Sequence, residues 1–166
     1  EIATADRKSQ HRNDILIMTT KQHLYNTCQT FLNQRLKVIQ NTILDIQHSL
    51  QSETKSSAGD KHETGRAMLQ LEREKAGHQL AELEKQKQIL QSINTATKHQ
   101  NIVLGSVVKT TQANYFIAVS AGEIVIDNTS YFAISAATPI AKLLLSKQTG
   151  DTIVFRDSVF EVIGVQ

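Results

Sequence analysis

The chain has 166 residues, enough for one ordinary domain or for a small domain joined to an extended element that needs no globular core. Lys and Arg total 18 against 16 Asp and Glu, a net charge of +2, so no single-sign field marks a dedicated nucleic-acid or membrane binder. Cys28 is the only cysteine, which excludes an internal disulfide framework and a cysteine-based zinc site and leads us to expect a reducing, cytoplasmic setting.

Residues 1–17 are polar and hold no sustained period, so they are expected to be a poorly structured leader, tag or misplaced start. The longest N-terminal apolar run, Ile15-Leu16-Ile17-Met18, is far short of a membrane span or a signal-peptide core. From Lys21 to about Gln51 neither Gly nor Pro occurs, and Cys28, Leu32, Leu36, Ile39, Ile43, Ile46 and Leu50 recur in steps of four and three, a helical stripe. From about Lys61 to Asn94 a second stripe runs through Leu69, Ala76, Leu80, Leu83, Leu90 and Ile93, weakened at Gly77 and Lys87. Each helix of ~30 residues would be ~45 Å long. Two narrow stripes with polar outer faces bury each other best as an antiparallel coiled-coil hairpin, here over 18–98 with its tip near 53–63.

Beyond His99 the pattern shortens. Six apolar runs, Ile102–Val108, Tyr115–Val119, Glu123–Ile126, Tyr131–Ile134, Thr152–Phe155 and Val159–Ile163, are rich in β-branched and aromatic residues. Ala121-Gly122, Asp127-Asn128, Gly150-Asp151 and Arg156-Asp157 supply turns between them. Thr138 can cap a short helix that begins at Pro139, the only proline. The expectation for 99–166 is an antiparallel sheet with one short helix, which makes the whole chain α+β.

At the tip, Asp60 and Glu63 stand three apart at a helix start, able to share a face near the positive end of the helix dipole. Capping is the stronger explanation of the spacing, Asp60 as the N-cap and Glu63 as its capping-box partner, and spacing alone does not make a site. Together with the order of the parts, Gly59-Asp60-Lys61-His62-Glu63 and the segment Ile134–Lys147, which contains Ser135-Ala136-Ala137-Thr138-Pro139-Ile140-Ala141-Lys142-Leu143-Leu144, resemble the GreA/GreB family of bacterial transcript-cleavage factors. Thr149-Gly150-Asp151 and Leu104-Gly105-Ser106-Val107-Val108 are further, shorter matches. The resemblance covers about 19–166 and is to a divergent branch. Thr64, Gly65, Arg66 and Ala67 follow the acidic pair where the family has Asn and further acidic and aromatic residues, and Ala137 stands where an Asp often precedes the Ser-Pro of the family.

The resemblance implies an FKBP-like fold for the second domain, RNA polymerase as partner, and a hairpin that enters the polymerase's secondary channel. It implies that Asp60 and Glu63 support a Mg²⁺ ion shared with the polymerase active site, acting on the 3′ end of backtracked RNA only through that site. It places the polymerase contact around Ser135, Thr138, Pro139 and Lys142. It also implies DNA binding. The protein would then be an accessory factor without a cofactor of its own, not an independent enzyme, and a monomer. Two alternatives stay open: a secondary-channel protein that inhibits or modulates the polymerase, and a coiled-coil adaptor unrelated to transcription.

Other readings are weaker. Cys28 lies on the helical stripe and reads as a small buried hydrophobe, and His11, His23, His48, His62, His78 and His99 are scattered, so no thiol site or zinc spacing emerges. Five Phe without a Trp argue for core, not for the aromatic pocket of a prolyl isomerase. Arg73, Lys75, Lys85 and Lys87 interleave with Glu72, Glu74, Glu82 and Glu84 as a solvated helix face does.

Overall fold

A computed structural model describes residues 18–55 and 60–166, with side chains except at 54, 55 and 60–62. Helix α1 spans Thr20–Lys55 and α2 spans Asp60–Gln91. Six strands follow: β1 (Val107–Thr110), β2 (Asn114–Ala118), β3 (Gly122–Ile126), β4 (Thr129–Ser135), β5 (Thr152–Phe155) and β6 (Ser158–Val165). Helix α3, Pro139–Leu144, lies between β4 and β5. The expected α+β architecture, a helical hairpin and then a small β domain with one short helix, is the observed one.

Thr19 starts α1 by accepting the Gln22 N–H on its hydroxyl at 3.2 Å. At the far end α2 stops at Gln91, three residues before the expected Asn94. Ser92 Oγ donates to the Ile89 carbonyl at 2.7 Å, and Asn94 Oδ1 accepts from Ala96 N at 3.0 Å, so both side chains bond the backbone locally in ways that favour leaving the helix. The seam is made by Leu24, Cys28, Leu32, Leu36, Ile39 and Ile46 of α1 with Ala76, Leu83 and Leu90 of α2, all buried.

The sheet order is β3-β4-β2-β1-β6-β5. All neighbouring pairs are antiparallel but one: β2 and β4 run parallel, Phe116 opposite Ala133. The purely antiparallel sheet read from the sequence is therefore a mixed one. Alternation reports faces, not partners, so it cannot show that β3 serves as the edge crossover that brings β4 back beside β2. The β3–β4 turn is Asp127-Asn128, both at positive φ (48° and 61°), the hairpin geometry that short polar residues tolerate.

The first expected strand also begins late. Val103–Ser106 form a turn instead, closed by the Ser106 N–H on the Val103 carbonyl at 3.0 Å, with Gly105 at φ 90° and its N–H donating to the Ile117 carbonyl at 2.6 Å. Alternate residues of the strands feed two cores. Val107, Phe116, Ala118, Tyr131 and Ala133 join the hairpin seam in one cluster, so the base of the hairpin is packed on that face. Val108, Ile117, Phe160 and Val162 meet Ala141 and Leu144 of α3 on the other.

Candidate functional site

Helix α2 opens at Asp60, so Asp60 and Glu63 both fall in its first turn. Glu63 is exposed. The side chain of Asp60 lies outside the described residues, as do Gly59 and the rest of residues 56–59. The tip stands ~45 Å from the base, from 30 residues of α1 between Lys21 and Gln51 at 1.5 Å each.

One residue near the tip escaped the sequence reading. Glu53 is half-buried, and a Cβ built on Gly65 would stand 3.8 Å from both of its carboxylate oxygens. Its position was legible, because the α1 stripe runs 39, 43, 46, 50 and then 53, while the α2 stripe runs back from 69 to 65. The last described layer of the seam is thus a carboxylate facing a glycine. A methyl group at Gly65 would meet the carboxylate only in ordinary van der Waals contact, so the two simply adjoin, a pairing that a search for apolar residues passes over.

The second set of candidate residues lies at the β4–α3 corner. Ser135 and Thr138 are half-buried, whereas Pro139 and Lys142 are exposed. Thr138 caps α3 as expected: its hydroxyl accepts from Ala141 N at 3.4 Å and donates to the Ser135 carbonyl at 2.8 Å. Ser135 Oγ in turn accepts from Ala137 N at 3.2 Å. This wiring holds Pro139 and Lys142 outward on a fixed corner. The structure does not bring this corner and the tip together; they belong to opposite parts of the chain's architecture.

Cys28 is fully buried in the seam, and burial pushes its thiol up to about 12, away from nucleophilic character. Among the described residues, no three His, Cys, Asp or Glu side chains are grouped so as to hold a metal ion. No helix among them is long and apolar enough to cross a membrane.

A long helical hairpin seated on one face of a small mixed sheet is the class of molecule that these observations define. Among solved structures the chain is similar to GreA factor homolog 1 (Gfh1) of Thermus thermophilus, at 22% identity over 81% of this chain and 92% of that one, with a TM-score of 0.33. It is also similar to a second structure, of the transcription factor Gfh1, at 23% identity over 81% and 90%, with a TM-score of 0.31. No protein-family model and no curated protein matches the chain.

Proposed function

We propose that this protein is a Gre-type transcription elongation factor that binds RNA polymerase, inserts the hairpin tip into the secondary channel and stimulates cleavage of backtracked RNA. The observation that carries the reading is an exposed Glu63, with Asp60 three residues before it, at the far end of a hairpin whose base is packed into a separate sheet. The tip and corner motifs that resemble the GreA/GreB family supply the partner.

The donor set suits the implied metal. Mg²⁺ takes oxygen ligands and commonly only one or two carboxylates, the rest being water and phosphate, so a pair such as Asp60 and Glu63 could complete a coordination shell begun elsewhere. Bound there, the ion would supply an activated water for hydrolysis. The chain's own contribution is delivery: a stiff hairpin brings two carboxylates to a buried centre, while Pro139 and Lys142, held outward by the Ser135–Thr138 bonds, engage the polymerase surface. Cleavage is then the polymerase's own reaction, and this protein is its accessory.

The test is cleavage of RNA in stalled, backtracked elongation complexes, with polymerase binding measured alongside. Wild-type protein should accelerate cleavage, and Asp60→Ala or Glu63→Ala should abolish the acceleration while binding persists. Thr138→Ala with Lys142→Ala should weaken binding instead. Binding without acceleration by the wild type would favour the inhibitor reading, and no binding at all would leave the adaptor.

A further inference from the structure

We infer that Lys21 is a positioning residue that fixes the direction of the hairpin relative to the β domain. Lys21 continues the α1 stripe, preceding Leu24, Cys28 and Leu32, at a position where an apolar side chain would pack best. It is nevertheless a lysine, only 4% exposed, and its Nζ donates to the Thr97 carbonyl at 2.7 Å. Among the described residues no carboxylate is paired with it, and burial, unfavourable for an ammonium, lowers the Lys21 pKa. Stability alone would be served better by an apolar residue of the same volume.

What the ammonium does achieve is a long-range connection. Residues 92–101 contain neither helix nor strand, and among the described residues the Lys21–Thr97 bond is the only hydrogen bond from α1 to the chain beyond α2. The rest of the junction is apolar contact between the hairpin base and residues such as Val107, Phe116 and Tyr131. Apolar contact is non-directional and permits sliding, whereas a hydrogen bond to one carbonyl selects one arrangement. A single polar residue in a coiled-coil seam sets register in the same way, at a cost in stability. The leverage is large, because a tilt of about 10° at Lys21 displaces a point ~45 Å along the helix by ~8 Å.

The test places spin labels at Gln51→Cys, near the tip, and Glu161→Cys, on β6, and reads their distance distribution in the full chain. Cys28 can stay, since its buried thiol is shielded from the labelling reagent. Lys21→Met, which keeps volume and apolar packing, should leave melting temperature equal or higher yet broaden or shift the distribution by several ångström, up to ~8 Å. Lys21→Arg, which keeps the donors, should preserve the parent distribution. Should Lys21→Met fail to fold, Lys21→Gln, too short to span to Thr97, carries the same expectation. A distribution unchanged in the folded variant would overturn the inference. A second arm rests on the proposed function: Lys21→Met should retain polymerase binding and lose stimulated cleavage. Because the distances need no polymerase, failure of the polymerase reading would leave the first arm intact.

Discussion

Replacing Gly105 by Ala adds one methyl group at the place where the end of the hairpin meets the sheet, and the structure separates its effect into two parts. Gly105 has φ 90°, a conformation that disfavours an L side chain by about 1–2 kcal/mol. The new Cβ would stand 2.8 Å from Ile93 Cγ2 and 3.6 Å from Ile93 Cβ and Cγ1. Neither partner can yield cheaply: Ile93 is 8% exposed, and the Gly105 N–H is already bound to Ile117. Overpacking of this kind costs about 1–3 kcal/mol. The expected loss is therefore about 2–5 kcal/mol, read from urea unfolding followed by circular dichroism. Gly122→Ala is the internal control, since Gly122 has φ 80° with nothing within 4 Å of a built Cβ, and it should lose only about 1–2 kcal/mol. Ile93→Ala removes the colliding methyl, so the double variant should recover about 1–3 kcal/mol relative to additivity. Equal losses at Gly105 and Gly122, or strictly additive behaviour, would refute the claimed contact.

Gly77→Ala lies inside α2 with nothing within 4 Å of a built Cβ, so it should stabilise the protein by up to about 1 kcal/mol, seen as a raised melting temperature. Thr138→Ala deletes the α3 cap and should cost about 0.5–2 kcal/mol in urea unfolding, with Thr138→Ser recovering most of it. The buried Cys28 thiol gives a pH signature. Its folded pKa is raised from 9.0 to about 12, so between those values the unfolded state releases a proton that the folded state keeps, and stability falls as pH rises. The stability difference between wild type and Cys28→Ala should hold constant below pH 9 and shrink above it. A flat difference from pH 8 to 11 would contradict burial of the thiol.

The sequence was most informative where one face of an element is dry. Both helices could be read because Leu32, Leu36, Ile39, Ile43 and Ile46 recur on one stripe of α1 and Leu69, Ala76, Leu80, Leu83 and Leu90 on one stripe of α2, and the strands because residues such as Phe116 and Ile117 alternate between two cores. The α3 cap was equally legible, since Thr138-Pro139 carries its own local chemistry. Pairing was not, because the alternation in β2 and β4 is the same whether they run parallel or antiparallel. Ile102 misled for a related reason: it is fully buried in the sheet domain, but from an irregular segment bonded to Ser146 and Lys147 and not from one of the six strands. At the tip, the acidic pair was visible by type and spacing, whereas Glu53 was hidden by its polarity and Lys21 by its place in a segment of polar residues.

The gradient of burial along the seam decides how experiments at the tip can be read. Leu24 and Cys28 are 0% exposed and Leu32 1%, because three layers meet there: both helices and the sheet. Farther out Leu36, Ile39 and Ile46 are 6–9% exposed and Ile43 and Leu50 only half-buried, because there each helix has the other alone. Apolar area removed from water is what holds the structure, so most of the hairpin's stability resides near its base. Segments with few buried contacts open locally at a small fraction of the global free energy. An exposed residue such as Glu63 can therefore be replaced with little effect on overall unfolding, while changes at Leu24 or Leu90 register in full. Loss of function after a tip substitution, at unchanged melting temperature, then speaks to what the tip contacts and not to the fold. The same gradient makes the base the place to alter the hairpin's direction, and it is there that the buried ammonium of Lys21 sits.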